Sequence, residues 1–172
     1  MRVRPERAAD RERIFALQAA AFGRPDEAEL VEALRASAQP RLSLVAEVEG
    51  EPVGHVCFSP AAIEGPPSGP ACAALAPVGV LPQHRRRGVA SALIRAGLAR
   101  GSGLGWQAVF LVGDPAFYAR FGFALAAPHG LHYAGEAFDP VFQVLELRPG
   151  ALRGCRGRVR FHEAFEGLGA PR

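Results

Sequence analysis

Apolar residues recur along this chain at helical spacing in some stretches and at alternate positions in others. The switches between the two predict a mixed order of helices and strands. Arg2-Val3-Arg4-Pro5 reads as a short first strand, and from Asp10 onward Ile14, Leu17, Gln18, Ala21 and Phe22 fall on one face of a helix. Gly23-Arg24-Pro25 breaks that helix, and Asp26 is placed to cap a second one that carries Leu30, Val31 and Leu34 inward. Leu42 to Val48 and Pro52 to Phe58 are strands around the hairpin turn Glu49-Gly50-Glu51. The proline- and glycine-dense stretch from Glu64 to Pro70 reads as a surface loop.

Ala73 to Leu81 reads as a strand, yet Pro77 and Gly79 are unusual in a central one. They predict a bulge or a close approach of ligand to backbone. Trp106 to Val112 reads as a buried strand, and Asp114-Pro115 as a capped start to a short helix that ends at Phe121-Gly122-Phe123. Phe142 to Leu147 alternates as a strand, and Arg158 to Phe161 reads as one more.

The segment between the strand ending at Leu81 and the next helix carries the chemistry. Pro82-Gln83-His84-Arg85-Arg86-Arg87-Gly88 stops the strand, and Val89, Ala90 and Ser91 open an alanine-rich helix continuing through Leu93, Ile94 and Leu98. Free amides from Arg86 to Ser91, together with the positive end of the helix dipole, make a phosphate cradle there. Arg85, Arg86 and Arg87 add fixed positive charge.

At 172 residues the chain is long enough for a sizeable core, and it is expected to be a single domain over residues 1–172. The net charge is only +3, and all 20 basic residues are arginine; lysine, asparagine and threonine do not occur. A phosphate-loop lysine, a Schiff-base lysine, a threonine nucleophile and a Cys-His-Asn triad are therefore excluded. Cys57, Cys72 and Cys155 are too scattered for a disulfide framework or a zinc site, so no metal is expected. No apolar run is long enough to cross a membrane and no signal sequence is evident, so a cytoplasmic protein without membrane or nucleic-acid partners is expected.

Arg85-x-x-Gly88-x-Ala90, with a strand before it and a helix after it, resembles the phosphate-binding signature of the GNAT (GCN5-related N-acetyltransferase) superfamily. Ala116-Phe117-Tyr118-Ala119-Arg120-Phe121-Gly122-Phe123 resembles that family's second block. The stretch Gly113 to Phe123 and the tail Leu145 to Leu152 resemble its bacterial YhbS-like subgroup. The resemblance implies an α+β fold: a central, mostly antiparallel twisted sheet with one splayed strand pair, flanked by helices. It implies acetyl-CoA as cosubstrate, held by Val78, Gly79 and Val80 on the bulged strand and by residues 85–91, with Tyr118 as general acid at the departing sulfur. The acceptor would be a small-molecule or protein amine, and a homodimer is compatible with the family.

The family often places a glutamate on the bulged strand as base, and Ala73 to Leu81 holds no carboxylate. Glu27, Glu29, His55, His132, Glu136 and Asp139 are the candidates elsewhere. The missing carboxylate keeps a second reading open, a catalytically weak acyl-CoA-binding or regulatory module.

Overall fold

A computed structural model describes residues 1–39, 41–65 and 69–166. Among these, nine strands and four α-helices alternate with short 3-10 turns. The strands are β1 (Arg2–Pro5), β2 (Leu42–Val48), β3 (Glu51–Ile63), β4 (Cys72–Val80), β5 (Ala108–Val112), β6 (Ala124–Leu125), β7 (Leu131–Tyr133), β8 (Phe142–Glu146) and β9 (Gly157–Phe161). The helices are α1 (Arg11–Phe22), α2 (Asp26–Ser37), α3 (Val89–Gly101) and α4 (Pro115–Tyr118).

The sheet runs β1-β2-β3-β4-β5-β8-β6, and β9 pairs with the far end of β3 and with β7. All pairings are antiparallel except β4 with β5 and β7 with β9. Glu49 (φ 53) and Gly50 (φ 85) both take left-handed backbone at the β2–β3 turn, the two-residue geometry that suits the twist of a hairpin. This is the expected mixed, mostly antiparallel architecture. β7 was not legible in the sequence: it is three residues long, and its alternation is too short to register.

Two expected details differ. Asp26 does not cap α2 but forms its first residue after Pro25, making no cap hydrogen bond. Phe22 is not on the inward face of α1; it is 42% exposed at the helix end, where Gly23 (φ 72) turns the chain away. Part of the expected loop from Glu64 to Pro70, residues 66–68, lies outside the described residues.

β4 pairs with β5 only through Cys72, Ala73 and Ala74. Beyond Ala74 the two strands separate. On the other side of β4, Val78 faces Val56 and Leu75 faces Phe58, so three steps of β4 match two of β3. The extra residue is the predicted bulge, at Ala76-Pro77.

The core beneath α3 is closed by a near approach of helix to sheet. Phe58 stacks on Trp106 with centroids 6.1 Å apart, and a side-chain carbon on Gly97 of α3 would run into the Phe58 ring. Gly97→Ala gains up to about 1 kcal/mol of helix propensity and loses more by overpacking. A net loss of about 1–2 kcal/mol is expected from urea unfolding, whereas Gly103→Ala, where the added carbon meets nothing within 4 Å, costs none.

Candidate active site

The strand pair opens at Ala74, and the backbone beyond it decides the site. Leu81 donates its amide to the Val53 carbonyl at 3.0 Å, which directs the peptide groups of Leu81 and Gly79 toward β3. Strand alternation turns the amides of Val78 and Val80 the other way, into the cleft. Val78 and Val80 line a cavity of about 610 Å³ together with Arg85, Arg86 and residues 88–91.

The cradle has the expected form. Arg86 (φ 58) and Gly88 (φ 80) take left-handed backbone, and Ala92 is the first amide of α3 to find a helical carbonyl, that of Gly88 at 2.9 Å. Among the described residues, no protein acceptor meets the amides of residues 86–91. A side-chain carbon on Gly88 would meet nothing within 4 Å, so the space in front of these amides is open. An anion fits that set of donors.

Two of the candidate cofactor residues, Gly79 and Arg87, lie off this cavity, and Arg85 lines it with its guanidinium engaged elsewhere. Arg85 also spends its guanidinium on the protein: its Nη2 donates to the Ala21 carbonyl at 2.5 Å and its Nε to that of Val80 at 3.4 Å, bracing the end of α1 against the end of β4. Arg87 is exposed and off the cavity lining. Gly79 is off it too: the space a side chain would need there is filled by the Gln18 amide. The lining also takes in Phe22, His84, Phe117 and Arg120, which sequence spacing did not point to.

Tyr118 sits at the end of β5, where its ring lies over Gly113; a side-chain carbon on that glycine would enter the ring. Gly113 is itself fixed, donating to the Val141 carbonyl at 3.0 Å and accepting from Gln143 Nε2 at 2.9 Å. Tyr118 meets Phe117 edge to face at 5.0 Å and Phe123 edge to face at 5.9 Å. Asp114 caps the helix through Oδ1, accepting from the Ala116 amide at 2.9 Å. The Tyr118 hydroxyl has no hydrogen-bond partner among the described residues. Burial, and then the nearby Asp114 carboxylate, push its pKa up to about 12, so it keeps its proton across the physiological range.

Tyr118 faces a second cavity of about 440 Å³, which also takes in Leu75 to Val78 and the α1–α2 turn. Phe22 and Val78 line both cavities. The open stretch of β4 thus stands between an anion cradle and a separate chamber lined by Tyr118.

Of the six candidate bases, Glu27 alone lines this chamber. Arg24 holds it, through Nη2 at 2.5 Å. His132 pairs with Asp139 at 3.0 Å and is 47% exposed, away from the chamber. Glu29 and Glu136 are exposed and off the lining. His55 is fully buried: its Nδ1 lies 2.7 Å from Gln18 Nε2 and its Nε2 2.7 Å from Ser43 Oγ. With the Gln18 amide donating, the neutral ring carries its proton on Nε2 and donates to Ser43. Burial depresses its pKa from 6.5 to about 3.

The chain is similar to proteins of one family in sequence and in fold. The family model for the acetyltransferase (GNAT) domain matches residues 2–126. The N-acetyltransferase YhbS of Escherichia coli K12 is 39% identical over 166 residues, covering 96% of this chain and 98% of that protein. The crystal structure of Escherichia coli YhbS in complex with CoA superposes with a TM-score of 0.89 at 37% identity, covering 98% of this chain and 93% of that one. A Brucella melitensis GNAT family acetyltransferase in complex with acetyl-CoA gives 0.78 at 37% identity, covering 96% and 97%.

Because the unfolded histidine titrates near 6.5 and the folded one near 3, the unfolded chain binds a proton that the folded chain refuses between those values. His55 therefore contributes stability above its unfolded pKa that is lost as pH falls, by up to about 1.4 kcal/mol per unit. In an NMR titration the His55 ring signals should stay at their neutral positions from about pH 7.5 to about pH 5, a range in which a solvated imidazole titrates.

Proposed function

Since the chain belongs to the GNAT acetyltransferase family, we propose that it transfers the acetyl group of acetyl-CoA to a primary amine, with residues 86–91 holding the pyrophosphate and Tyr118 acting as general acid. One observation carries this reading: the unpaired amides of β4 separate an open anion cradle from a chamber lined by Tyr118. The single domain spans residues 1–172 in this reading.

The chemistry follows from charge. The pyrophosphate lies against the free amides of the α3 start, where Gly88 leaves room and Arg86 adds a full positive charge. The pantetheine arm runs along Val78 and Val80 and pairs with their amides in place of the missing β5 partner. A β4 amide polarises the thioester carbonyl and steadies the oxyanion that forms when the amine attacks. The C–N bond is made in that attack; the tetrahedral intermediate then collapses by breaking the C–S bond, and the proton shed by the nitrogen replaces the one Tyr118 gives to sulfur. Tyr118 donates a hydrogen bond to the departing sulfur. Transfer from a phenol near pKa 12 to a thiolate of ordinary pKa, about 8.5, is uphill, so the proton moves as charge develops on a sulfur that burial also makes more basic. Glu27, supported by Arg24, receives the amine's ammonium and passes its proton outward through water.

Gly88→Glu places a carboxylate at the phosphate position. It is expected to abolish acetyl-CoA binding by calorimetry while costing only about 1–2 kcal/mol of stability for the left-handed backbone.

Tyr118→Phe keeps the ring packing and removes the hydroxyl. Turnover of an accepted amine should fall about ten- to a thousandfold, with acetyl-CoA affinity unchanged. Unaltered turnover would remove the acid role from Tyr118.

A further inference from the structure

The walls of the acceptor chamber select among amines, and the inference rests on the acetyltransferase reading above. The side of the chamber facing α2 is built from packed aromatic rings. Tyr133 and Phe161 have centroids 4.4 Å apart, Phe138 meets Tyr133 edge to face at 5.3 Å, and Phe165 meets Phe161 at 5.3 Å. All four line the chamber. A wall of this kind favours a flat, apolar body, which gains area and ring contacts where a hydroxyl-rich one would lose its water.

The charges point the same way. Glu27 is nearly buried, with a side chain 11% exposed, and its carboxylate is already met by Arg24. Arg158 and Arg160 line the same chamber. Arg160 reaches only Glu64, at 3.8 Å on an exposed flank. Arg158 has no acidic partner among the described residues, and its charge acts on the Tyr133 hydroxyl. Arg24 and Arg160 are thus matched by acidic partners, and Arg158, at an exposed position, is the lining arginine left unmatched among the described residues. A polyamine or an aminosugar would bring several ammonium groups against Glu27, which Arg24 already meets, and the exposed Glu166. A ligand carboxylate, by contrast, completes the hydrogen bonding of Arg158 in the two-pronged geometry a guanidinium favours.

We propose that the acceptor is an aryl amino carboxylate, a molecule with one amine for the Val78 and Tyr118 end, a flat apolar body against Tyr133 and Phe161, and a carboxylate received by Arg158. Polyamines and aminosugars are excluded on this assignment.

The test measures acetylated product and released thiol for two acids and their acid-free analogues. L-Phenylalanine is paired with 2-phenylethylamine, and 4-(aminomethyl)benzoate with benzylamine; spermidine and kanamycin are the cationic competitors. At least one acid is expected to exceed its analogue in kcat/KM by about three- to tenfold, and both cationic amines should be poorer than either acid. Arg158→Gln should collapse the acid-to-analogue ratio toward one, through KM rather than kcat, whereas a merely structural role would leave the ratio as it was. A ratio unchanged by Arg158→Gln, or spermidine or kanamycin used as well as the acids, overturns the proposal while leaving the acetyltransferase in place. If none of the six amines is acetylated the acceptor class is wrong. Acetyl-CoA calorimetry on the same protein then decides the rest: retained binding keeps the cofactor reading, and lost binding removes it as well.

Discussion

The parting of β4 from β5 after Ala74 is the constraint around which this molecule is arranged. A buried strand edge without partners is costly, because each unpaired amide or carbonyl loses its hydrogen bonds to water and gains none. The edge is tolerable only if a ligand completes it or water reaches it. The neighbouring elements keep it open. The bulge at Ala76-Pro77 bends β4 away while its pairing with β3 resumes at Val78. β8 occupies the other edge of β5 along its whole length, from Ala108 to Val112. Arg85 braces the end of β4 against α1 through Val80 and Ala21.

Behind the open edge lies a polar line that looks like chemistry and works as support. Gln18, His55 and Ser43 hydrogen-bond in sequence beneath β4, and the Gln18 amide rests against Gly79. A side chain at position 79 would push Gln18 out of this line or β4 out of place. The buried, neutral ring of His55 therefore joins α1, β2 and β3 under the cleft and is not open to the acceptor. A similar join holds the first strand, where the nearly buried Arg4 guanidinium binds Asp10 at 2.6 Å and Glu47 at 2.5 Å. The hydrogen bond from Arg4 keeps both carboxyls below their usual range, so this join weakens as acid protonates them.

The sequence by itself determined the local events. The helix ends at Gly23 and Gly122, the hairpin turn at Gly50, the cap at Asp114, the bulge near Pro77 and the free amides before α3 were all legible, because each depends on a few neighbouring residues and their backbone limits. The inward faces of α2 and α3 were legible for the same reason: period and polarity are properties of one element. Tyr118 was legible through its motif, which places it at the end of a strand that the chain itself builds.

Only the tertiary structure decided which polar groups meet. Six candidate bases were equivalent in sequence, and packing sent His55 into the core, His132 and Asp139 toward each other, and Glu27 alone to the chamber. Phe22 read as a core residue from its spacing, yet the Gly23 turn leaves it at the border of both cavities. Arg85 and Arg87 add the same charge to one turn, but Arg85 braces two elements and lines the cavity while Arg87 lies off it. β7 and the aromatic wall around Tyr133 depend on β9 returning to the end of β3, a contact across some hundred residues. Long-range partners are chosen by shape and by the cost of leaving a buried group unpaired, and no period along the chain records that choice.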